Sequence, residues 1–428
     1  MPVLSTEKIY QIRAILEPIL RPKQPKFGTK LGMLGAWAFE RLVLLVAGLL
    51  KAGDAATPAR IAAAAETLGI TNATAESIER RVRRLENDPH LTAALCFHPL
   101  AKAWLALGKP MELVLVVDPT TQDDRLVLLS VGVWYRGRTL PLVWALWPGQ
   151  IPLKKEQGAT GFWQRVGEVL EAVREIVPPG VEIIVLADSA FGCPAFTDQV
   201  TAMGPRWHYV VRVQESVRCR DHQGKVQAIS TLVPVRSSPV RTYRTQHAKL
   251  RGEVFKKQGW RAASVVVWWG RKHKKRLCLV SDLRPRWDLV SLYRRRYGIE
   301  ASFRDLKSGG WHFEQGQVRN LAHVSVLLVG IAIATWLTVC AGASAAVAYL
   351  EHARQSCRRT PGRESKQSLF QLGRRAWERH FVGRDSVDLL SWLGLTAPEP
   401  AGLPDFGMRC SWKQQITQAY GKAYVFHG

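Results

Sequence analysis

Acidic residues are scarce in this chain. Its 428 residues hold 35 Asp and Glu against 60 Lys and Arg, a formal net charge of +25. So large a deficit of negative charge makes a polyanion the default partner, whether DNA, RNA or an anionic membrane surface. Cysteine is sparse as well. Cys96, Cys193, Cys219, Cys278, Cys340, Cys357 and Cys410 lie far apart, with no CxxC and no Cys/His spacing suited to zinc. An odd, scattered set reads as reduced thiols, and the first thirty residues lack the layout of a secretory signal, so the expected location is cytoplasmic and nucleoid-associated. Internal repeats and low-complexity tracts are also missing. What the chain does have is 47% apolar and 9% aromatic residues, enough to bury a substantial core.

One run competes with a soluble reading. Leu321 to Leu350 contains no Asp, Glu, Lys or Arg, and a bilayer needs about 20 apolar residues. His323, Ser325, Thr335, Thr338 and Ser344 dilute it, and Arg319 and Arg354 flank both ends, so the charge asymmetry that orients a span is missing. A buried central helix is expected here, with no membrane, and a second core helix is expected within Leu31 to Leu50.

The chain divides into an α-helical N-terminal DNA-binding domain over 1–108, a catalytic domain over 109–350, and a C-terminal helical region over 351–428. In the first of these, an Ala-rich helix, a Gly69 break and a helix bearing Arg80, Arg81, Arg83 and Arg84 outline a helix-turn-helix; solvated helical hairpins share that outline. From 112 the pattern turns to β, with apolar runs at 112–118, 126–134 and 139–147. A helix over 160–176 and an apolar strand over 181–188 follow, which together predict a mixed α/β sheet. Residues 205–286 hold twenty basic and four acidic residues in a strand-like pattern, a basic β-rich insertion placed at about 214–286.

Two apolar strands each run into an aspartate, Asp118 and Asp188. Ligands collect beyond the carboxyl ends of strands in open α/β sheets, so adjacent strands would bring both acids to one lip, where a divalent ion relieves their repulsion. A strand-ending aspartate also serves simply to cap a turn. A helix expected over 288–307 adds Tyr293, Arg296, Glu300, Arg304 and Lys307, spaced 3, 4, 4 and 3 apart on one stripe. The ordinary account is a solvated salt-bridge ladder. Yet the helix has far more cations than acids, and phosphates would supply the missing partners; a carboxylate among phosphate-binding cations is what two-metal phosphoryl transfer requires.

The string Tyr293-x2-Arg296-x3-Glu300-x6-Lys307 resembles the signature of bacterial insertion-sequence DDE transposases, specifically the insertion-sequence-four family. VVDPTT at Asp118, VLADSAFG at Asp188, acid spacings of 70 and 112 residues and the basic insertion between the last two acids are similar to that family as well, over roughly residues 75–350. The resemblance implies a ribonuclease H-like mixed sheet with a β-rich insertion, behind an α-helical N-terminal domain. It implies that Asp118, Asp188 and Glu300 hold two Mg²⁺, with Mn²⁺ as a substitute, and that Tyr293, Arg296 and Lys307 bind the DNA backbone; Arg304 joins them from the stripe. The activity implied is nicking of a mobile element's ends and joining of the freed 3′-hydroxyls to target DNA, by a homodimer that holds both ends of double-stranded DNA. Trp260, Trp268 and Trp269 are candidates for stacking on an unpaired base, against the plainer role of Trp as strand core. Two other readings stay open: a ribonuclease H-like nuclease or recombinase without strand transfer, and a catalytically dead DNA-binding protein.

Overall fold

The computed structural model describes residues 3–22, 34–53, 56–69, 73–85, 88, 91–108, 110–149, 158–234, 246–270, 275–316, 318, 320–355 and 368–383. The basic turn at 271–274, the Thr71–Asn72 part of the helix-turn-helix break and most of the expected region 351–428 lie outside the described residues.

Helices dominate the first hundred residues: α1 (Val3–Leu20), α2 (Ala36–Ala52), α3 (Pro58–Thr67), α4 (Ala75–Leu85) and α5 (His98–Leu107). Pro58 at the first position of α3 and the Thr57 hydroxyl, which accepts from Arg60 N, fix where that helix starts. On α4 only Ile78 and Val82 are buried among its central residues, while Arg80, Arg81, Arg83 and Arg84 are exposed.

The β-pattern emerges as one sheet of ten strands. The first three are β1 (Glu112–Gln122), β2 (Leu126–Tyr135) and β3 (Arg138–Pro148). After α6 (Gly158–Ile176) come β4 (Glu182–Ala187), α7 (Pro194–Ala202) and β5 (Trp207–Arg212). The basic segment supplies β6 (Arg218–Arg220), β7 (Val226–Ala228), β8 (Gln246–Val254), β9 (Arg261–Trp269) and β10 (Leu277–Ser281). Their order is β3-β2-β1-β4-β5-β10-β9-β8-β6-β7. The β1–β2–β3 meander is antiparallel, β4 and β5 add in parallel to β1, and every strand beyond β5 is antiparallel to its neighbour. The insertion therefore extends the main sheet through β10.

Alternation along the strands gives the sheet two cores. Leu113, Leu115, Val117, Ile183, Val185 and Val211 join the larger cluster, which also takes in α1, α2 and α5. Val114, Val116, Ile184, Leu186, Val210 and Val266 face the other way and pack against α8 (Asp288–Arg294) and α9 (Tyr297–Leu306). The expectation of one helix over 288–307 is corrected. At Arg295–Arg296 the chain tightens to three-residue turns, with Arg296 N bonded to Tyr293 O and Ile299 N to Arg296 O.

The apolar run from Leu321 becomes α10 (Leu321–Gln355). It is long and apolar enough to cross a membrane, and 89% of its most apolar window is buried inside the protein. Its neighbours explain why: Trp336 Nε1 donates to Pro141 O of β3 at 2.9 Å, and α2 packs along it. The amphipathic pattern near 368–381 becomes α11 (Leu369–Phe381), started by a Ser368–Gln371 capping box. It crosses α10 at backbone contact. A Cβ on Gly373 would fall 1.7 Å from Thr338 O, and one on Gly342 would fall 1.8 Å from Leu369 O. Gly373→Ala is accordingly expected to lower stability by about 2 kcal/mol or more, because neither backbone has room to retreat. Urea denaturation of the two proteins checks this, and an unchanged midpoint would contradict it.

Candidate active site

The parallel pairing of β1 with β4 brings the first two acids together. Their register runs up to Val117 opposite Ala187, so the next residue on each strand is an aspartate, Asp118 on β1 and Asp188 after β4. By alternation both follow Val116 and Leu186 on the face that carries α8 and α9. One expectation is corrected: β1 does not end at Asp118 but runs on to Gln122, with Asp118 opposite Ser130 of β2. Asp188 does end its strand. Its Oδ1 accepts from Ala190 N at 2.8 Å and caps a single turn over Ser189–Phe191, so the capping role and the lip position coexist.

The third acid is tied to the first by an arginine. Arg296 Nη1 donates to Asp118 Oδ2 at 2.8 Å, and its Nη2 donates to Glu300 Oε1 one turn along α9. The break between α8 and α9 turns Arg296 inward, leaving it 9% exposed, while Glu300 on the following turn stays open to solvent. Tyr293 is buried at 2% beneath them. Arg304 is exposed, and Lys307 reaches back so that its Nζ donates to Thr121 O of β1 at 2.5 Å. The sequence argument that these cations lack partners thus needs correction for Arg296 and Lys307, whose partners lie within the chain.

Charge in the cluster is shared. Burial pushes the Asp118 carboxyl up to about 6; Arg296 opposes that rise, and the negative charges of Asp188 and Glu300 add to it. Burial works against the Arg296 cation, but Tyr293, Asp118, Glu300 and Asp188 outweigh it and raise its affinity for the proton. Burial also raises Tyr293 above the ordinary phenol range. Asp118 therefore senses both of the other acids. As placed, however, among the described residues no set of three His, Cys, Asp or Glu side chains is arranged to hold a metal ion. The donor chemistry fits a hard cation, namely carboxylate oxygens with an unrelieved surplus of negative charge around Asp118. The guanidinium of Arg296 now supplies the positive charge between Asp118 and Glu300.

The three tryptophans proposed for stacking are each half-buried with a cation over the ring: Arg220 at 4.7 Å on Trp260, Arg294 at 4.9 Å on Trp268, and Arg276 at 4.7 Å on Trp269. Sequence reasoning passed over a fourth, Trp287, which is 39% exposed ahead of α8 with the His247 ring 4.4 Å away and Lys249 at 5.5 Å. Its only signal was an aromatic in the polar stretch RPRWD. His208 of β5 has Nδ1 2.6 Å from Asp282 and Nε2 3.3 Å from Glu182.

A mixed α/β sheet with acids gathered over one lip, in a chain this basic, defines an enzyme class that acts on a polyanion. Residues 151–337 match the family model described as the transposase DDE domain, a family of catalytic DNA-cleaving enzymes, and the match implies a transposase function. The matched segment contains Asp188, Tyr293, Arg296, Glu300 and Lys307; Asp118 lies ahead of it and is brought to the site by the sheet register. A search of curated proteins finds no match.

Because its pKa is raised on folding, Asp118 favours the folded state most when protonated, and that contribution fades as the pH climbs from about 4 to about 6. Asp118→Asn is expected to gain stability over the parent across that interval, by on the order of 2 kcal/mol at neutral pH. Denaturation midpoints at pH 4 and pH 7.5 check it; a difference that does not change with pH contradicts it.

Proposed function

We propose that the protein nicks the ends of a mobile DNA element and joins the 3′-hydroxyl ends to target DNA, in the manner of the insertion-sequence-four family. The observation that carries this reading is the register that places Asp118 and Asp188 side by side, with Arg296 linking Asp118 to Glu300. A three-stranded meander followed by two parallel strands also supports a ribonuclease H-like core.

Asp118, Asp188 and Glu300 would hold two Mg²⁺, which Mn²⁺ would replace; bound there, the ions supply Lewis-acid stabilisation of the attacking and leaving oxygens. The chain's own residues do the rest. In the first step a water oxygen attacks the scissile phosphorus, the bond to the 3′-oxygen breaks, and that oxygen leaves as a hydroxyl. In the second the same hydroxyl attacks a target phosphate and expels another 3′-oxygen, so no covalent enzyme intermediate is needed. Arg304 and Lys307 sit on the open side of α9 to meet the backbone, with Arg296 and Tyr293 behind them. When a phosphate arrives, Arg296 exchanges a carboxylate partner for it, a strong bidentate pairing. The exposed arginines of α4 supply further duplex contacts. A homodimer, in the cytoplasm on nucleoid DNA, would hold the two ends together.

The test is nicking of a duplex that carries the element's own ends, in Mg²⁺. Asp188→Ala and Glu300→Gln are each expected to slow nicking by about a hundred-fold or more while leaving duplex affinity within about threefold. Parent-level nicking by either variant would sink the assignment. Nicking without joined products would favour a nuclease over a transposase.

A further inference from the structure

We propose that Arg138, Asp305 and Ser302 are positioning residues that fix where Glu300 stands. The proposal rests on the reading of Glu300 as a catalytic acid and adds what holds it there.

Helix α9 has two stripes. Glu300, Arg304 and Lys307 lie on the open one; Gly298, Ser302 and Asp305, spaced 4 and 3 apart, lie on the side that meets the sheet. Ile299, Phe303 and Leu306 of the same helix pack into the apolar cores, and beside them Gly298, Ser302 and Asp305 bring glycine and polar groups against the sheet. Arg138 Nε, directly after the β2–β3 turn, donates to Asp305 Oδ2 at 2.6 Å. Thr139 N of β3 donates to Ser302 Oγ at 2.8 Å, and that hydroxyl donates onward to Gly298 O at 3.0 Å. Gly298 allows the close approach, since a Cβ there would lie 3.0 Å from Trp134 Cδ1. Both charges are largely out of solvent, with side-chain exposures of 20% for Arg138 and 10% for Asp305.

Behind these contacts lies a cavity of about 70 Å³, bordered by Arg138, Thr139, Ser302, Asp305, Trp311 and Ile331. Apolar packing of Ile299, Phe303 and Leu306 seats α9, and where the cavity interrupts that packing the polar contacts fix its position along the sheet. A buried ion pair contributes little net stability relative to an apolar pair of the same size, but it permits one geometry only. That trade suits a helix whose open stripe must hold a carboxylate in place. A slip of one residue moves an α-helix by about 1.5 Å along its axis. A misplacement of about 1 Å in a reacting geometry costs on the order of a hundred-fold in rate.

The experiment replaces the pair with apolar residues of similar size, Arg138→Met with Asp305→Leu, in the full chain. Expected are a urea midpoint no lower than the parent's and duplex affinity within about threefold. Single-turnover nicking should be about a hundred-fold slower, with a higher Mg²⁺ concentration needed for half-maximal rate, a shift that a merely structural role would not produce. Nicking and Mg²⁺ midpoint both at parent level would overturn the proposal. If the double variant fails to fold, Ser302→Ala and Ser302→Thr decide: Ala should lose rate and Thr, which keeps the hydroxyl, should regain it, whereas equal rates for Ala and the parent would overturn the proposal. Glu300→Gln runs alongside. Parent-level nicking by Glu300→Gln would strike the catalytic reading itself; an inactive Glu300→Gln beside an unaffected double variant would strike the positioning role alone.

Discussion

Three carboxylates cannot be brought to one lip of a buried sheet unless something answers their charge, and in this protein that constraint is met by Arg296. Its guanidinium spans Asp118 and Glu300 from a position 9% exposed, where the local dielectric makes each contact stronger and each missing one costlier. The compensation is incomplete, since Asp118 still sits with its pKa near 6 under burial and the fields of Asp188 and Glu300. Asp118 thus remains short of positive charge beside a solvent-facing Glu300. The same arginine sits where α8 gives way to α9, bonded to Glu300 one turn on and to Asp118 of β1.

The surroundings make that arrangement rigid. β1 and β4 are buried on both faces, so their parallel register cannot slip without carrying apolar side chains to the wrong side. Behind the sheet, α10 runs as a buried post. α2 leans on it and α11 crosses it through paired glycines, so N-terminal helices and the catalytic sheet share one apolar cluster. Ala56 N, bonded to Trp311 O at 2.6 Å, ties the chain ahead of α3 to the segment that follows α9.

Much of this was legible in the sequence, and for identifiable reasons. Apolar runs at 112–118 and 181–188 gave strands because continuous burial leaves an unmistakable run, and the run from Leu321 gave a buried helix because polar dilution and symmetric flanking charge argued against a bilayer. The stripe from Tyr293 to Lys307 was legible as residues and spacing. Its shape was not: the tightening at Arg295–Arg296 runs into Gly298, whose N bonds to Arg295 O, and accompanies a contact from Arg296 to Asp118, 178 residues away. For the same reason β1 could not be seen to continue past Asp118, since Pro119 and two threonines look like a turn until β2 is there to pair with them. Strand β10 slipping between β5 and β9 is a non-local pairing with no local signature.

The match to the transposase domain begins at residue 151, downstream of the meander, yet the acid cluster includes Asp118 from within the meander. Backbone pairing joins the two parts, with β4 parallel to β1 from Glu112 opposite Glu182 up to Val117 opposite Ala187, and side-chain contacts such as Arg296 to Asp118 and Arg138 to Asp305 add to it. A parallel pair needs a long crossover, and here it passes through β2, β3 and α6, which places the two acids 70 residues apart in sequence and adjacent in the sheet. The register that delivers Asp118 is held by apolar side chains buried on both faces of β1 and β4. A site assembled in this way is specified at two levels. The side chains of Asp118, Asp188, Glu300 and Arg296 supply its charges, and the strand pairing together with the apolar pattern on both sheet faces brings them to one place.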